Sequence, residues 1–343
     1  MQTDPVDDEG CGLALIGAGY WGSRLARNLA AVSGGTLSVV CDVDAACATA
    51  VGQLHGARAT TSLADVLRDD RVDAVVVATP AATHREIVAA CLDAGRDVLV
   101  EKPLAGSVSE ARAVADAADA CGRIVMCDHT YRFSPVVETL REQLATGAIG
   151  SLTSITSVRT NCDHGQTDVD VFWDLAHHDL SILGFVLPAT HRPVAVSATH
   201  HDQRVRGRPQ AGTLRVHLAG DARAEVRVDW RAPLKQRTMT FTGDAGELRW
   251  DDLAPLGERL RWRGTGTQSG STCHLRPTHA TEPLLGVVNE FLRAVTARDR
   301  PSCGPREELA ILAALEAATL SAATDGRVIS LDPLPRVELE SSP

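Results

Sequence analysis

Gly17-Ala18-Gly19-Tyr20-Trp21-Gly22 stands directly after the apolar run LALI (13–16) and directly before the Ala-rich stretch SRLARNLAAV (23–32). In a G-x-G-x-x-G between strand and helix, the first glycine permits the tight turn and the second lets backbone approach a pyrophosphate. The third allows close helix–strand packing, and the helix N-terminus presents N–H groups to the anion. Tyr20 and Trp21 fall within the same turn. The next run, LSVVCD (37–42), ends in Asp42, 20 residues after Gly22. A carboxylate there accepts hydrogen bonds from the adenosine ribose hydroxyls and repels a 2'-phosphate, so NAD is expected rather than NADP. A Gly-rich turn beside an incidental acid would look the same in isolation, but strand, turn, helix and acid in this order favour the dinucleotide.

The alternation continues through AVVVATP (74–80), REIVAACLDAG (85–95), DVLVEKP (97–103), a helix over 109–121 and IVMCD (124–128). Strands apolar on both faces with helical crossovers predict an α/β domain built on a doubly wound parallel sheet, over residues 12–130 after a flexible acidic tail (1–11). Beyond it the pattern changes. A helix is expected over 135–146, a strand over 152–160, a loop over 161–170 and a helix starting near Val171 or Trp173. Period-two strands follow at 213–220, 224–230 and 237–243, then a mobile loop over 264–283, helices near 284–295 and 307–323, and a last strand at 328–331. Successive strands without crossover helices predict a C-terminal α+β domain over 131–335 with a large, mostly antiparallel open sheet, and a tail over 336–343.

Net charge of -10 with 3% aromatic residues disfavours nucleic acid as a partner, since phosphate binding requires a basic face. No apolar stretch reaches membrane-spanning length and MQTDPVDDEG lacks a signal-peptide pattern, so neither a membrane nor secretion is expected. Nine cysteines without a C-x-x-C pair read as reduced thiols in a cytoplasmic protein. Of 34 basic residues only Lys102 and Lys235 are Lys. Lys102, in Glu101-Lys102-Pro103 at a strand end, offers a compact donor suited to an alcohol oxygen, although a surface Lys would serve at a strand end too. Lys235 has no such context. Thr79, Pro80 and His84 lie at the same carboxyl edge of the sheet and are expected near the cofactor, although Thr-Pro is also ordinary helix-entry punctuation.

Trp173-Asp174-Leu175-Ala176-His177-His178-Asp179 opens a helix. Asp174 and His178, four apart, share a face, so the carboxylate can orient and stabilise an imidazole acting as general base. Asp174, His177, His178, Asp179 and His164 are also possible metal ligands. No metal-binding spacing appears, and a dinucleotide with a lysine allows alcohol oxidation without a metal, so none is expected. Asp179 reads as an early-helix partner of the helix dipole. Asp163, Asp168 and Asp170 could attract an amine-bearing substrate, whereas Arg132 and Arg159 would suit a sugar diphosphate.

Together GAGYWG, Asp42, ATPAATH, EKP, HTYRFSP (129–135) and the D-x-x-x-H of Asp174 and His178 resemble the Gfo/Idh/MocA oxidoreductases, in order, spacing and over nearly the whole chain. The resemblance implies a Rossmann domain followed by an open-sheet α/β domain, with Lys102, Asp174 and His178 catalytic. It places NAD against Gly17, Gly19, Tyr20, Trp21, Gly22, Asp42, Thr79, Pro80, His84, Glu101 and Lys102. The substrate is expected against Tyr131, Arg132, Arg159, Asn161, Asp163, Trp173 and His177. The stretch 157–183 is similar to members that oxidise sugar nucleotides or glycosides, including 3-dehydrogenases that prepare a 3-keto sugar for transamination in aminoglycoside biosynthesis; many of these have Pro where His177 stands. The implied substrate is an aminoglycoside pseudo-oligosaccharide or a nucleotide hexose such as UDP-glucose, and the implied assembly a homodimer or homotetramer. An inositol or cyclitol dehydrogenase, an NAD-dependent glycosidase and a non-catalytic NAD-binding regulator are the alternatives.

Overall fold

In the first part of the chain, β1 (Cys11–Ile16), β2 (Gly35–Cys41), β3 (Arg58–Thr60), β4 (Ala74–Val77), β5 (Asp97–Val100) and β6 (Val125–Cys127) form a parallel sheet ordered β3-β2-β1-β4-β5-β6. The computed structural model describes residues 10–161, 169–201, 204–205, 208–265 and 272–331. Every residue of β4 and β5 is buried, as for strands covered by helices on both faces. The crossovers are α1 (Tyr20–Ala31), α2 (Ala45–His55), α3 (Leu63–Leu67), α4 (His84–Asp93) and α5 (Val108–Cys121). Strand order reverses between β1 and β4, so the crevice at their carboxyl ends is where such a sheet takes a ligand. The edge strand β3, Arg-Ala-Thr, was invisible to hydrophobic patterning because it contributes no buried residue.

The remaining elements are α6 (Pro135–Ala145), β7 (Leu152–Thr160), α7 (His177–Val186), β8 (Pro193–His200), β9 (Arg204–Val205), β10 (Arg208–Pro209), β11 (Ala211–Leu218) and β12 (Arg223–Asp229). After them come β13 (Gln236–Gly243), β14 (Gly246–Asp251), β15 (Leu260–Gly264), β16 (Thr272–Leu275), α8 (Pro283–Ala297), α9 (Pro305–Ala323) and β17 (Ile329–Ser330). A nine-stranded sheet has the order β16-β15-β14-β13-β7-β12-β11-β8-β17. Its one parallel pair is β7 with β12; the others are antiparallel, in accord with the expected architecture. Strand β16 falls inside the stretch expected to be loop, where exposed Thr272 and Cys273 gave no period-two signal.

By contacts, the chain divides into Met1–Thr130 with Leu284–Leu309, and Tyr131–Pro283 with Ala310–Pro343. An uninterrupted second domain over 131–335 therefore does not describe the chain: most of α8 and the first turn of α9 cluster with the parallel sheet. Asp97 accepts from Arg298, and the Cys127 N–H donates to Cys303 carbonyl at 2.8 Å. The tails, residues 1–9 and 332–343, lie outside the described residues. Among the described residues no helix is long and apolar enough to cross a membrane.

Where α7 lies on the second sheet, the contact is ionic. Arg159, near the end of β7, is 3% exposed, and its Nε donates to Asp179 Oδ2 at 2.8 Å. Ser157 Oγ donates to Asp179 Oδ1 at 2.6 Å, and Arg159 Nη1 donates to Tyr131 Oη at 3.1 Å. Coulomb attraction to Asp179 and these hydrogen bonds overcome the cost of burial and hold the guanidinium pKa above its usual range. Arg159→Met would leave Asp179 as an uncompensated buried charge, so the variant should lose about 3–5 kcal/mol of stability, read as a lowered urea midpoint.

Candidate active site

The glycine turn is built by contacts that exclude side chains. Gly17 has φ +93°, and a Cβ there would meet the carbonyl carbon of Ala78 at 2.6 Å; a Cβ on Gly22 would lie 1.9 Å from the Gly17 carbonyl oxygen. Gly19 differs, since a Cβ on it would meet nothing within 4 Å. It is also the N-cap of α1 and makes no side-chain cap, so the first-turn N–H groups of α1 have no intrahelical acceptor. Open space beside Gly19 and these donors fit a pyrophosphate. Asp42 Oδ2 accepts from the Ala18 N–H at 2.6 Å and Oδ1 from the Asp44 N–H at 2.9 Å. The carboxylate thus fixes the turn, and its remaining lone pairs suit ribose hydroxyls. Tyr20 and Trp21 are exposed beside the turn, with the Arg24 guanidinium 3.7 Å from the Tyr20 ring centroid.

Thr79 and Pro80 follow β4, and Thr83 Oγ1 lies 2.8 Å from Thr79 Oγ1. His84 was expected near the cofactor but is buried inside the unit. Its Nδ1 lies 2.7 Å from the Pro103 carbonyl and its Nε2 2.8 Å from the Thr79 carbonyl. The ring thus bridges two backbone carbonyls, so His84 ties the β4 end to the Lys102 turn rather than reaching outward.

Lys102 and Glu101 are half-buried just beyond β5. The Glu101 N–H continues the ladder to the Val77 carbonyl, and the Asp128 N–H donates to the Val100 carbonyl. Burial, then the Asp128 charge, pushes the Glu101 carboxyl up; burial pushes Asp128 up against its hydrogen bonds to Thr130; the Lys102 ammonium pulls both down. Lys102 is thus the cation that both acids face. Behind them, ligand-type atoms of Cys127, His129 and Glu308 lie within 4.8 Å of one another, all buried. His129 Nε2 pairs with Glu308 Oε2 at 3.1 Å, and Glu308 Oε1 accepts from the Leu104 N–H at 3.4 Å. Burial, then Glu308, pushes the Cys127 thiol well above its ordinary value.

The second cluster sits in the other unit. Residues Phe172–Ala176 form a π turn leading into α7, a distortion the four-residue spacing could not reveal and one common at functional sites. Asp170 Oδ1 accepts from the Phe172 and Trp173 N–H groups at 2.8 and 2.9 Å, so this acid caps the helix instead of forming part of a free acidic loop. Asp174 is buried and Oδ2 accepts from Trp230 Nε1 at 2.8 Å. Trp230 was not singled out from the sequence; its position just after a period-two strand gave no hint that its indole would meet Asp174.

His178 is half-buried, whereas its neighbour His177 is 0% exposed, which corrects the expectation that His177 faces the substrate. The Tyr131 ring meets His178 edge to face at 5.2 Å. Tyr131 Oη accepts from Arg159 and from Arg237 Nη1 at 3.0 Å, and Asp252 Oδ2 lies 3.4 Å from it. Arg159 is therefore enclosed rather than presented to a substrate, and Asp179 is its buried counter-ion instead of a dipole partner. Arg132 Nε donates to Ser181 Oγ at 3.1 Å, Trp173 Nε1 to Thr319 Oγ1 at 3.2 Å, and the Asn161 N–H to the Asp229 carbonyl at 2.9 Å. Asp163, His164 and Asp168 lie outside the described residues.

Residues 11–129 match the Gfo/Idh/MocA family model, described as an oxidoreductase family with an NAD-binding Rossmann fold. This first part of the chain is similar to that family. Similar curated proteins include the inositol 2-dehydrogenase of Rubrobacter xylanophilus, 36% identical over 178 residues, 51% of each chain. The D-apiose dehydrogenase of Paraburkholderia graminis is 26% identical over 94% of this chain and 90% of its own. Thus the match spans about half the length of the inositol dehydrogenase. Among solved structures, GenD2 from gentamicin A biosynthesis, in complex with NAD, superposes with a TM-score of 0.82 at 29% identity, covering 94% of this chain and 97% of that one. The matched model is described as NAD-binding, and the open cradle at Gly19 agrees with it.

Gly19 and Gly22 separate binding from folding. Gly19→Ala should melt like the wild-type protein in the absence of nucleotide, yet bind NAD about tenfold or more weakly, as read by isothermal titration. Gly22→Ala should lose about 1–3 kcal/mol of stability through overpacking, lowering the melting temperature even without nucleotide.

Proposed function

We propose that the protein oxidises a secondary hydroxyl, C3 of a hexosyl unit, to the ketone with NAD, preparing the sugar for transamination. The observation that carries this reading is that His178, the accessible imidazole of the His177-His178 pair, follows a buried Asp174 by four residues. Its proposed partner from the first unit is Lys102, at the carboxyl edge of a sheet whose glycine turn fits a dinucleotide. His178 takes the hydroxyl proton; Asp174 favours the imidazolium that results; Lys102 donates a hydrogen bond to the oxygen as negative charge develops. NAD supplies the hydride acceptor, so the products are the ketone, NADH and one proton.

Likeness to GenD2 over nearly its whole length supports an aminoglycoside intermediate as the substrate, ahead of a nucleotide hexose such as UDP-glucose. The inositol dehydrogenase match favours a cyclitol as the second reading. Absorbance at 340 nm with NAD and an aminoglycoside intermediate, UDP-glucose or myo-inositol separates the three. Sugar hydrolysis without net NADH would point to a glycosidase instead. Lys102→Ala and His178→Ala should each reduce turnover by about 10²-fold or more while NAD binding persists; near-normal NADH production by either would refute its role.

A further inference from the structure

We infer that Trp230 is a positioning residue for His178, acting through Asp174. The inference rests on the reading of His178 as proton acceptor and extends it to a residue outside the sequence motifs. Trp230 follows the last residue of β12, is 1% exposed, and its backbone N–H donates to the Gln210 carbonyl at 2.9 Å. The indole is therefore fixed by packing at its ring and by the sheet at its backbone. From that mounting Nε1 donates to Asp174 Oδ2 at 2.8 Å, within the π turn, while the Asp174 N–H is held by the Asp170 carbonyl at 3.0 Å.

The chemistry of the donor matters. Indole N–H can donate but cannot accept, so its bond to Asp174 is stronger when the acceptor is a carboxylate oxygen than when it is the carbonyl oxygen of a neutral acid. Ser, Thr or Tyr there could turn its hydroxyl either way. A carboxylate held in one orientation by such a donor favours the imidazolium that forms when His178 takes a proton. Tyr131 supports the imidazole itself: its ring packs edge-on to His178, and its hydroxyl is held by Arg159 and Arg237. Acid and base thus each rest on an aromatic ring anchored elsewhere in the same unit.

Trp230→Phe keeps the ring and removes the donor. His178 titration is followed by NMR on histidine-labelled protein, with His178→Gln identifying the resonance, and kcat and KM are measured across pH. The variant should titrate at lower pH than the wild-type protein, and the acid limb of kcat/KM should move the same way. Turnover should fall about ten- to hundredfold, with KM for NAD within about twofold of wild type. Added to Asp174→Asn, the same change should have less than about a twofold effect, because the two residues act as one unit. If Trp230→Phe does not fold, the indole N–H resonance decides: it should shift on Asp174→Asn and follow the His178 titration in the otherwise native protein. An unmoved His178 titration and turnover within about twofold in Trp230→Phe, beside an impaired Asp174→Asn, would overturn the inference. An indole resonance indifferent to Asp174→Asn would do so as well. Wild-type turnover by His178→Ala would overturn the parent reading instead, leaving the NMR titration to judge the Trp230 contact.

Discussion

Burying a guanidinium and a carboxylate together is tolerable only when nearly every donor and lone pair is matched, and Arg159 with Asp179 meets that demand. Asp179 takes bonds from the Arg159 side chain and from Ser157; Arg159 extends another to Tyr131. The pair fastens the start of α7 to β7, one residue beyond His178. Orientation around the imidazole depends on it twice, because Tyr131, whose ring touches His178, is held by the same guanidinium. Hydrophobic contact alone would allow α7 to slide by a fraction of a turn; bonds of this geometry do not.

The two acids of that helix are used differently. Asp174 accepts from the neutral indole of Trp230, whereas Asp179 accepts from the Arg159 guanidinium. The first unit repeats the contrast. Glu308 is paired with His129, while Glu101 and Asp128 face the single ammonium of Lys102 and are held towards protonation by burial. The Lys102 charge opposes that burial effect at both acids. Lys235 has no comparable surroundings.

Features set by local pattern were legible from the residues alone. Apolar runs with helical crossovers specify the parallel sheet, and Gly17 and Gly22 follow from backbone approaches that a Cβ would block. The strand at 152–160 was readable to the residue. Features set by tertiary partners were not. Arg159 looked like a ligand for a phosphate because nothing near it in sequence reveals Asp179 as its counter-ion. His84 looked like a cofactor contact because its carbonyl partners, Thr79 and Pro103, meet only once β4 and the Lys102 turn are side by side. His177 and His178 are chemically identical neighbours, and only the π turn and the packing of α7 separate the buried ring from the accessible one. Trp230 carried no signal, since a Trp after a strand is as readily a core residue as a hydrogen-bond donor.

Return of the chain to its first unit at Leu284–Leu309 bears on how such a protein can be cut and recombined. A fragment ending at Thr130 contains the whole parallel sheet but would leave His129 without Glu308, Asp97 without Arg298, and the Cys127 amide without its acceptor. The nucleotide-binding part is thus contiguous in space but not along the gene. Exchanging it as a simple N-terminal cassette would remove these partners, so domain swapping by crossover in the middle of the chain is disfavoured unless the distal segment travels with it.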